Sequence, residues 1–163
     1  MSERGRRSHA LAEAIRFETE GREFFLKAAE RTKNYFGRVM FESIAEDELG
    51  HIKRIKGIHD HGLDSRTWES PPLPPGERRL ETIFQQAKGQ ITEQVNVDAD
   101  EMEAVRLAIQ LEGRGHQFYS RLADEAGEEA EKRFYIQLAE EETRHLSLLQ
   151  EMERVLMQSS GLE

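Results

Sequence analysis

The pattern Glu-x-x-His occurs twice in the sequence, and both copies lie among apolar residues. One copy is Glu48 and His51, and the other is Glu142 and His145. A spacing of three places a carboxylate and an imidazole side by side on one helical face, where both can approach one ion. A single copy is weak evidence, because glutamate is common in this chain. Of the six histidines only these two show the pattern, and two matching copies favour a metal site.

The two copies belong to an internal repeat. Residues 10–60 align with residues 104–154 without a gap. The identical pairs include Ala14/Ala108, Ile15/Ile109, Glu18/Glu112, Gly21/Gly115, Phe24/Phe118, Ala45/Ala139, Glu46/Glu140, Glu48/Glu142 and His51/His145. Each Glu-x-x-His pattern therefore has a partner glutamate upstream at the same register, Glu18 in one half and Glu112 in the other. Such a repeat indicates that the two halves form the same structural unit.

These polar residues occupy positions that face the core of a helical bundle. One apolar stripe with alternating spacings of three and four consists of Phe41, Ile44, Glu48, His51, Ile55 and Ile58. The same spacing recurs at Tyr135, Leu138, Glu142, His145, Leu149 and Met152. The upstream glutamates lie on heptad faces formed by Leu11, Glu18 and Phe25, and by Val105, Glu112 and Tyr119.

Four glutamates and two histidines are therefore expected to share one interior. An ionised carboxylate in an apolar core is costly unless it is paired or bound to a metal. Two divalent cations neutralise four carboxylates, so the pattern favours a dinuclear metal site. The predicted ligands are Glu18, Glu48, His51, Glu112, Glu142 and His145. Oxygen ligands with one imidazole per ion suit iron or manganese, and zinc remains possible.

Two neighbouring carboxylates compete for the role of ligand. Asp47 and Glu141 each precede a predicted ligand histidine by four residues, which also places them on one helical face with it. On the second helix, the face that carries Asp47 and His51 also carries Arg54. A guanidinium does not suit the core beside metal ions, so Glu48 and Glu142 are favoured as ligands.

Two residues that follow Glu112 are candidates for roles beside the metals. His116 lies one turn later and is a possible additional ligand, although its repeat counterpart Arg22 favours a surface or outer position. Tyr119 lies two turns later and could donate a hydrogen bond to a ligand carboxylate. A plain core role for this tyrosine is equally compatible with its counterpart, Phe25.

Capping residues and helix-breaking residues indicate where the helices that position these side chains begin and end. All four prolines lie within residues 71–75, so residues 61–79 predict a crossover. Ser8 is the expected first N-cap, and Asp98 with Glu101 predicts a capping box. A short amphipathic helix at 80–92 is indicated by Leu80, Ile83, Phe84, Ala87 and Ile91.

The expected fold is all-α, with residues 1–163 in one domain. Main helices are expected at about 8–33, 37–59, 98–127 and 128–158. They would form a four-helix bundle of two helical hairpins, 8–60 and 98–158, joined by the long crossover.

The composition of the chain argues against several classes of binding partner and indicates a cellular location. The net charge of −9 gives no basic footprint for nucleic acid, and the one basic cluster, Arg4, Arg6 and Arg7, is expected in a frayed N-terminal tail. No apolar run approaches the length of a membrane span, and no apolar region of an export signal follows these arginines. The lack of cysteine excludes disulfides and thiolate metal sites. We therefore expect a cytoplasmic protein that binds neither nucleic acid nor membrane.

Two longer motifs surround the predicted ligands. They are A-I-x-x-E-x-x-G-x-x-F-[FY], at 14–25 and 108–119, and [LI]-A-E-x-E-x-x-H, at 44–51 and 138–145. They resemble the rubrerythrin-like branch of the ferritin-like di-iron carboxylate proteins, whose helices supply this ligand set. The resemblance covers about residues 8–158. It implies a ferritin-like bundle with two iron ions that reduce hydrogen peroxide or dioxygen in protection against oxidative stress.

Two features depart from the rubrerythrin pattern. Rubrerythrins usually carry a second iron centre held by four cysteines, and its absence here implies a separate electron-donor protein. They also tend to have another glutamate one turn after the third-helix ligand, where this sequence has Gly115. Redox-linked ligand exchange, and with it efficient peroxide reduction, is therefore less expected. The remaining ligand set is similar to the ferroxidase centre of bacterioferritins.

Three functions follow from these residues and the resemblance. The first is a di-iron oxidoreductase, which the resemblance implies to be a homodimer, and the long crossover would permit exchanged helices. The second is a ferroxidase or iron-storage protein, for which a hollow cage is expected. The third is a non-enzymatic helical interaction protein with a structural metal such as zinc.

Overall fold

Five α-helices make up most of the described chain. The computed structural model describes residues 2–61, 68, 79–91 and 97–160. The helices are α1 (Glu3–Arg31), α2 (Tyr35–His61), α3 (Arg79–Gly89), α4 (Ala99–Glu125) and α5 (Glu129–Ser160). The all-α fold and the short third helix are confirmed. Most of the predicted crossover lies outside the described residues. No described helix is long and apolar enough to span a bilayer.

The four long helices form two hairpins. The turns at residues 32–34 and 126–128 are only three residues long, which makes α1 antiparallel to α2 and α4 antiparallel to α5. The hairpins meet where α1 packs on α4 and α2 packs on α5. α3 packs against α2 and α5. The predicted four-helix bundle is therefore confirmed, whereas the assignment of residues 1–163 to one domain stays a prediction.

The first helix begins earlier than the sequence predicted. Its N-cap is Ser2, whose hydroxyl accepts a hydrogen bond from the Gly5 amide at 3.0 Å. The predictions of Ser8 as N-cap and of a frayed basic tail are therefore wrong. The reason is a long-range contact, because Arg6 donates to the fully buried Glu131 on α5 at 2.8 Å. This ion pair holds the additional turns of α1 against the second hairpin.

The fourth helix begins at the predicted capping box. Asp98 accepts a hydrogen bond from the Glu101 amide at 2.8 Å, and Glu101 accepts one from the Asp98 amide at 3.3 Å. Glu101 also accepts a hydrogen bond from the Lys33 amide at 2.6 Å. One buried side chain thus caps α4 and fixes the turn between α1 and α2 against it.

The core consists of two apolar clusters. The larger cluster includes Phe25, Phe36, Met40, Phe41, Ile44, Phe84, Val105, Leu149, Met152 and Leu156. The smaller cluster includes Leu11, Ala14, Ile55, Ile58, Trp68, Tyr119, Leu122, Phe134, Tyr135 and Leu138. On each of the four long helices, the predicted ligands lie between residues of one cluster and residues of the other. The polar residues are consequently enclosed by apolar side chains at both ends.

Candidate metal centre

Six buried side chains meet between the two apolar clusters. They are Glu18 from α1, Glu48 and His51 from α2, Glu112 from α4, and Glu142 and His145 from α5. None of these residues is more than 4% exposed. The structure thus brings together all six residues predicted from the sequence. Their role as metal ligands stays a prediction.

The ligand atoms form two overlapping groups, and within each group they lie no more than 4.8 Å apart. The first group, here called the first position, consists of Glu18, Glu48, His51 and Glu142. The second group, the second position, consists of Glu48, Glu112, Glu142 and His145. Glu48 and Glu142 belong to both groups and are placed to bridge two ions.

Both histidines direct Nδ1 into the cluster. Nδ1 of His51 lies 3.3 Å from Oε1 of Glu18. Nδ1 of His145 lies 3.4 Å from Oε1 of Glu112 and 3.4 Å from Oε1 of Glu48. The two imidazole rings are stacked, with centroids 5.7 Å apart. Each imidazole therefore presents one nitrogen to a ligand group, as the spacing of three residues predicts.

A carboxylate from the opposite helix lies behind each histidine. Nε2 of His51 contacts Glu141 at 2.8 Å, and Nε2 of His145 contacts Asp47 at 3.0 Å. Sequence reasoning weighed these two carboxylates as alternative ligands and missed this role. Their positions orient the imidazoles instead. Arg54, which the sequence placed on this face, donates to both oxygens of Glu141 at 3.0 and 3.2 Å.

The two candidates on α4 have different surroundings. The hydroxyl of Tyr119 donates a 2.6 Å hydrogen bond to Oε1 of Glu18, which is the contact that the polar one of its two predicted roles requires. His116 is exposed, and its Nδ1 contacts the Thr143 hydroxyl at 2.9 Å. It is absent from both groups of converging ligand atoms among the described residues.

The donor set fits metal ions because it leaves buried polar atoms without hydrogen bonds. The unpartnered atoms of this cluster, counted over the described residues, are Oε2 of Glu18, Nδ1 of His51, both carboxylate oxygens of Glu112, Oε1 of Glu142 and Nδ1 of His145. A buried polar atom without a hydrogen bond is strongly unfavourable. Six such atoms facing one another are explained if they coordinate ions.

When no ion is bound, the pKa values of both histidines are raised by their carboxylate neighbours. Burial opposes charge on His51, but the nearby carboxylates of Glu18, Glu141 and Glu142 raise its pKa well above its usual value. Burial also opposes charge on His145, and its carboxylate neighbours, Glu112 first, raise its pKa to about 10. Both imidazoles therefore carry a proton at neutral pH in the metal-free protein.

The carboxylates of the second position titrate unequally. Burial and the charge of Glu112 raise the pKa of Glu142 well above its usual value. Burial also acts to raise the pKa of Glu112, but the neighbouring His145 cation outweighs it and lowers that pKa. Two adjacent carboxyl groups thus share one site by keeping one of them protonated. Metal binding must displace this proton and those of the histidines.

Comparison with known protein families finds a match that covers the candidate metal centre. The sequence matches the family described as Rubrerythrin over residues 9–153. The matched range extends from α1 into the last turns of α5 and contains all six converging residues. Comparison with curated proteins finds no match. On the evidence of the family match, the chain belongs to the rubrerythrin family.

Proposed function

We propose that this protein binds two iron ions between its four long helices and reduces hydrogen peroxide or dioxygen there. The observation that carries the proposal is the buried cluster of four glutamates and two histidines, arranged as two groups that share Glu48 and Glu142. Membership of the rubrerythrin family supports iron as the metal. The ligand types also accept manganese, and zinc would bind without redox chemistry.

The bound metals would supply the electrons: a pair of Fe(II) ions gives two electrons, which with two protons converts hydrogen peroxide into two water molecules. The buried side chains would hold the two ions. Glu48 and Glu142 would lie between the ions, while Glu18 and Glu112 would each bind one of them. The apolar clusters at both ends exclude bulk water from this layer.

Electrons must then be returned to the centre. These 163 residues contain no cysteine, so they hold no thiolate-bound iron centre that could supply the electrons. A separate electron-donor protein therefore completes the cycle in this proposal. The proposal also includes a homodimer, which the family resemblance suggests, and the cytoplasmic location that we expect from the sequence.

A ferroxidase is the second candidate, and the environment of Gly115 favours it. Rubrerythrins tend to have a glutamate at this place, but a Cβ added to Gly115 would lie 2.9 Å from Oε2 of Glu142. A glutamate at this position would therefore have to displace the Glu142 carboxylate from its place. In this alternative the centre oxidises Fe(II) with dioxygen and releases the product.

Rapid mixing distinguishes these functions. Protein loaded anaerobically with Fe(II) is mixed with hydrogen peroxide or with dioxygen, and the near-ultraviolet absorption of the oxidised iron is followed. Faster oxidation by peroxide supports the proposal. Reaction with dioxygen alone and turnover of added Fe(II) supports the ferroxidase. If neither reagent oxidises the iron-loaded protein, and if the protein instead retains zinc, both functions are contradicted. A non-enzymatic interaction protein with a structural metal is then favoured.

The matched variants are His145→Gln and His9→Gln. His145 is 1% exposed and lies in the cluster, so its loss should abolish the fast phase. His9 has a side chain that is 64% exposed, paired with Glu13 on the same helix. Its replacement should leave the reaction unchanged.

A further inference from the structure

Two glycines bring the backbones of α1 and α4 close to the candidate metal centre. The surface where these helices meet, here called the α1–α4 seam, consists of Phe17, Gly21, Leu111, Gly115 and Phe118. A Cβ added to Gly21 would lie 4.0 Å from Oε2 of Glu48. One added to Gly115 would lie 2.9 Å from Oε2 of Glu142. Both candidate bridging ligands therefore lie directly behind a helix position that has no side chain.

The Gly115 end of the seam is closed by aromatic rings. Phe17 lies 3.1 Å from the Cβ that would be added to Gly115, and its ring stacks on Phe118 with centroids 5.2 Å apart. The ring of Phe17 also meets Tyr119 edge to face, with centroids 6.4 Å apart. The guanidinium of Arg121 covers the Phe118 ring at 5.5 Å. A ring with these neighbours cannot turn aside without disturbing them, so we expect this end to stay closed.

The Gly21 end of the seam is covered by an aliphatic side chain. The repeat counterpart of Phe17 is Leu111, whose Cδ2 lies 3.9 Å from the Cβ that would be added to Gly21. Among the described residues this Cβ would make only ordinary contacts, so the space beside Glu48 already accommodates about a methyl group. Leu111 is partly buried, and side chains that reach the surface change rotamer within nanoseconds. The cover of this end can therefore move without rearranging the core.

The atoms behind Gly21 belong to the first position of the centre. Nδ1 of His51 has no hydrogen-bond partner among the described residues and lies 3.8 Å from Oε2 of Glu48. Glu48 is 3% exposed, whereas Glu18 is 0% exposed and Glu112 and Glu142 are each 1% exposed. The glutamate that solvent reaches most is thus the one behind the lightly covered end of the seam.

The other sides of the centre suit a small uncharged molecule less well. The two apolar clusters close both ends of the bundle layer. Between α2 and α5, Glu141 and Asp47 contact the histidines, and Arg54 donates to Glu141. A molecule entering there would have to separate charged groups that hold one another by strong hydrogen bonds. The seam is lined by apolar side chains instead, which admit uncharged molecules and disfavour hydrated ions.

We propose that hydrogen peroxide or dioxygen reaches the metal pair through the α1–α4 seam at Gly21, and that Leu111 limits the size of the molecules that pass. Both oxidants are uncharged and have only two heavy atoms. A branched organic hydroperoxide is larger than the opening and is held back by Leu111. This inference rests on the dinuclear iron centre of the proposed function. It assigns to Gly21 and Leu111 a role in access rather than in metal binding.

The first test follows the entry of nitric oxide, an uncharged diatomic molecule that binds Fe(II) and changes its visible absorption. Protein loaded anaerobically with Fe(II) is mixed with nitric oxide in a stopped-flow instrument. Gly21→Ala places a methyl group in the opening and should slow binding by roughly tenfold or more, because the passing molecule must then displace close-packed neighbours. The control is Gly57→Ala, since no described residue lies within 4 Å of a Cβ added to Gly57. Its rate should equal that of the original protein.

The second test concerns the size of the oxidant. Leu111→Ala should speed oxidation of the Fe(II)-loaded protein by tert-butyl hydroperoxide by roughly tenfold or more, because an apolar passage discriminates by the methyl groups it can accept. Oxidation by hydrogen peroxide should change little. Leu107→Ala removes another leucine of α4, which is 41% exposed. This control should leave the ratio of the two oxidation rates unchanged.

Zinc affinity separates access from metal binding. Gly21→Ala and Leu111→Ala should bind Zn(II) like the original protein in a titration against a chelator of known affinity. Equal nitric oxide rates in Gly21→Ala and Gly57→Ala, or an unchanged rate ratio in Leu111→Ala, would overturn the inference and leave the dinuclear centre intact. Slower nitric oxide binding together with weaker zinc binding would also overturn it, because the substitution would then act on the ligands. Failure of the original protein to load with iron would instead refute the proposed function.

Discussion

Gly21 and Gly115 stand at the same register of the repeat, yet alanine should have opposite effects at the two positions. Among the described residues, a Cβ added to Gly21 would meet Leu111 at 3.9 Å and Glu48 at 4.0 Å, which are ordinary contacts. A Cβ added to Gly115 would lie 2.9 Å from Oε2 of Glu142 and 3.1 Å from Phe17. The second substitution therefore pushes on a predicted bridging ligand and on an aromatic ring.

The sizes of the two effects follow from this geometry. Alanine is favoured over glycine inside a helix by about 0.8–1.0 kcal/mol, so Gly21→Ala should raise the free energy of unfolding by up to that amount. Gly115→Ala has the same gain, but overpacking costs about 1–3 kcal/mol. The variant at Gly115 should thus be less stable than the variant at Gly21 by about 1–3 kcal/mol.

Metal binding should separate the two variants more clearly than stability does. In the metal-free protein the carboxylate of Glu142 can turn away from the new methyl group, so the overpacking cost there comes mainly from the ring of Phe17, 3.1 Å away. Coordination would force it back, so Gly115→Ala should weaken zinc binding by roughly tenfold or more. Gly21→Ala should bind zinc like the original protein, since the added methyl group lies 4.0 Å from Glu48.

The assays are urea unfolding of the metal-free proteins and chelator-competed zinc titration. If Gly115→Ala matches Gly21→Ala in both measurements, then Glu142 does not lie against the α4 backbone as described. The assignment of Glu142 as a bridging ligand would then lose its geometric support.

Three further predictions concern protons and long-range contacts. Binding of two metal ions at pH 7 should release about three protons per chain, from His51, His145 and Glu142, measured with a pH indicator in weak buffer; release of none would contradict the raised pKa values. The pKa of His145 rises from 6.5 to about 10 on folding; its contribution to stability is therefore full below pH 6.5 and lost as the pH rises through 10. The urea midpoint of the metal-free protein should accordingly fall over that range, and less steeply in His145→Gln; an equal fall in both would assign it to other groups. Glu131→Ala removes a fully buried carboxylate that accepts a hydrogen bond from Arg6 and should lower the free energy of unfolding by about 1.5–3 kcal/mol, whereas the exposed control Glu129→Ala should change it little.

The candidate ligands could be predicted from the sequence because two independent patterns agree on them. The heptad spacing places Glu48 and His51 on the buried face of α2, and the repeat places Glu142 and His145 on the same face of α5. Helical geometry then fixes their direction, since residues three apart lie side by side. No knowledge of the packing between helices was needed for this step.

The remaining features depend on distances between helices, which no local pattern contains. Asp47 and Glu141 satisfied the spacing of ligands, and only the cross-helix contacts at 3.0 and 2.8 Å reveal their support of the histidines. The true start of α1 depends on the contact of Arg6 with Glu131, 125 residues away in the chain. Such partners are chosen by tertiary packing, so local capping signals at Ser8 were misleading.

The most direct test of the central claim is an anaerobic Fe(II) titration of the metal-free protein, with the bound iron counted per chain. The controls are Glu112→Ala, which removes a ligand that is 1% exposed, and Glu103→Ala, which changes an exposed residue of the same helix. We predict saturation at two ions per chain, weakened in the first variant and unchanged in the second. Binding of fewer than two ions, or equal binding by all three proteins, would contradict a dinuclear iron centre at these residues.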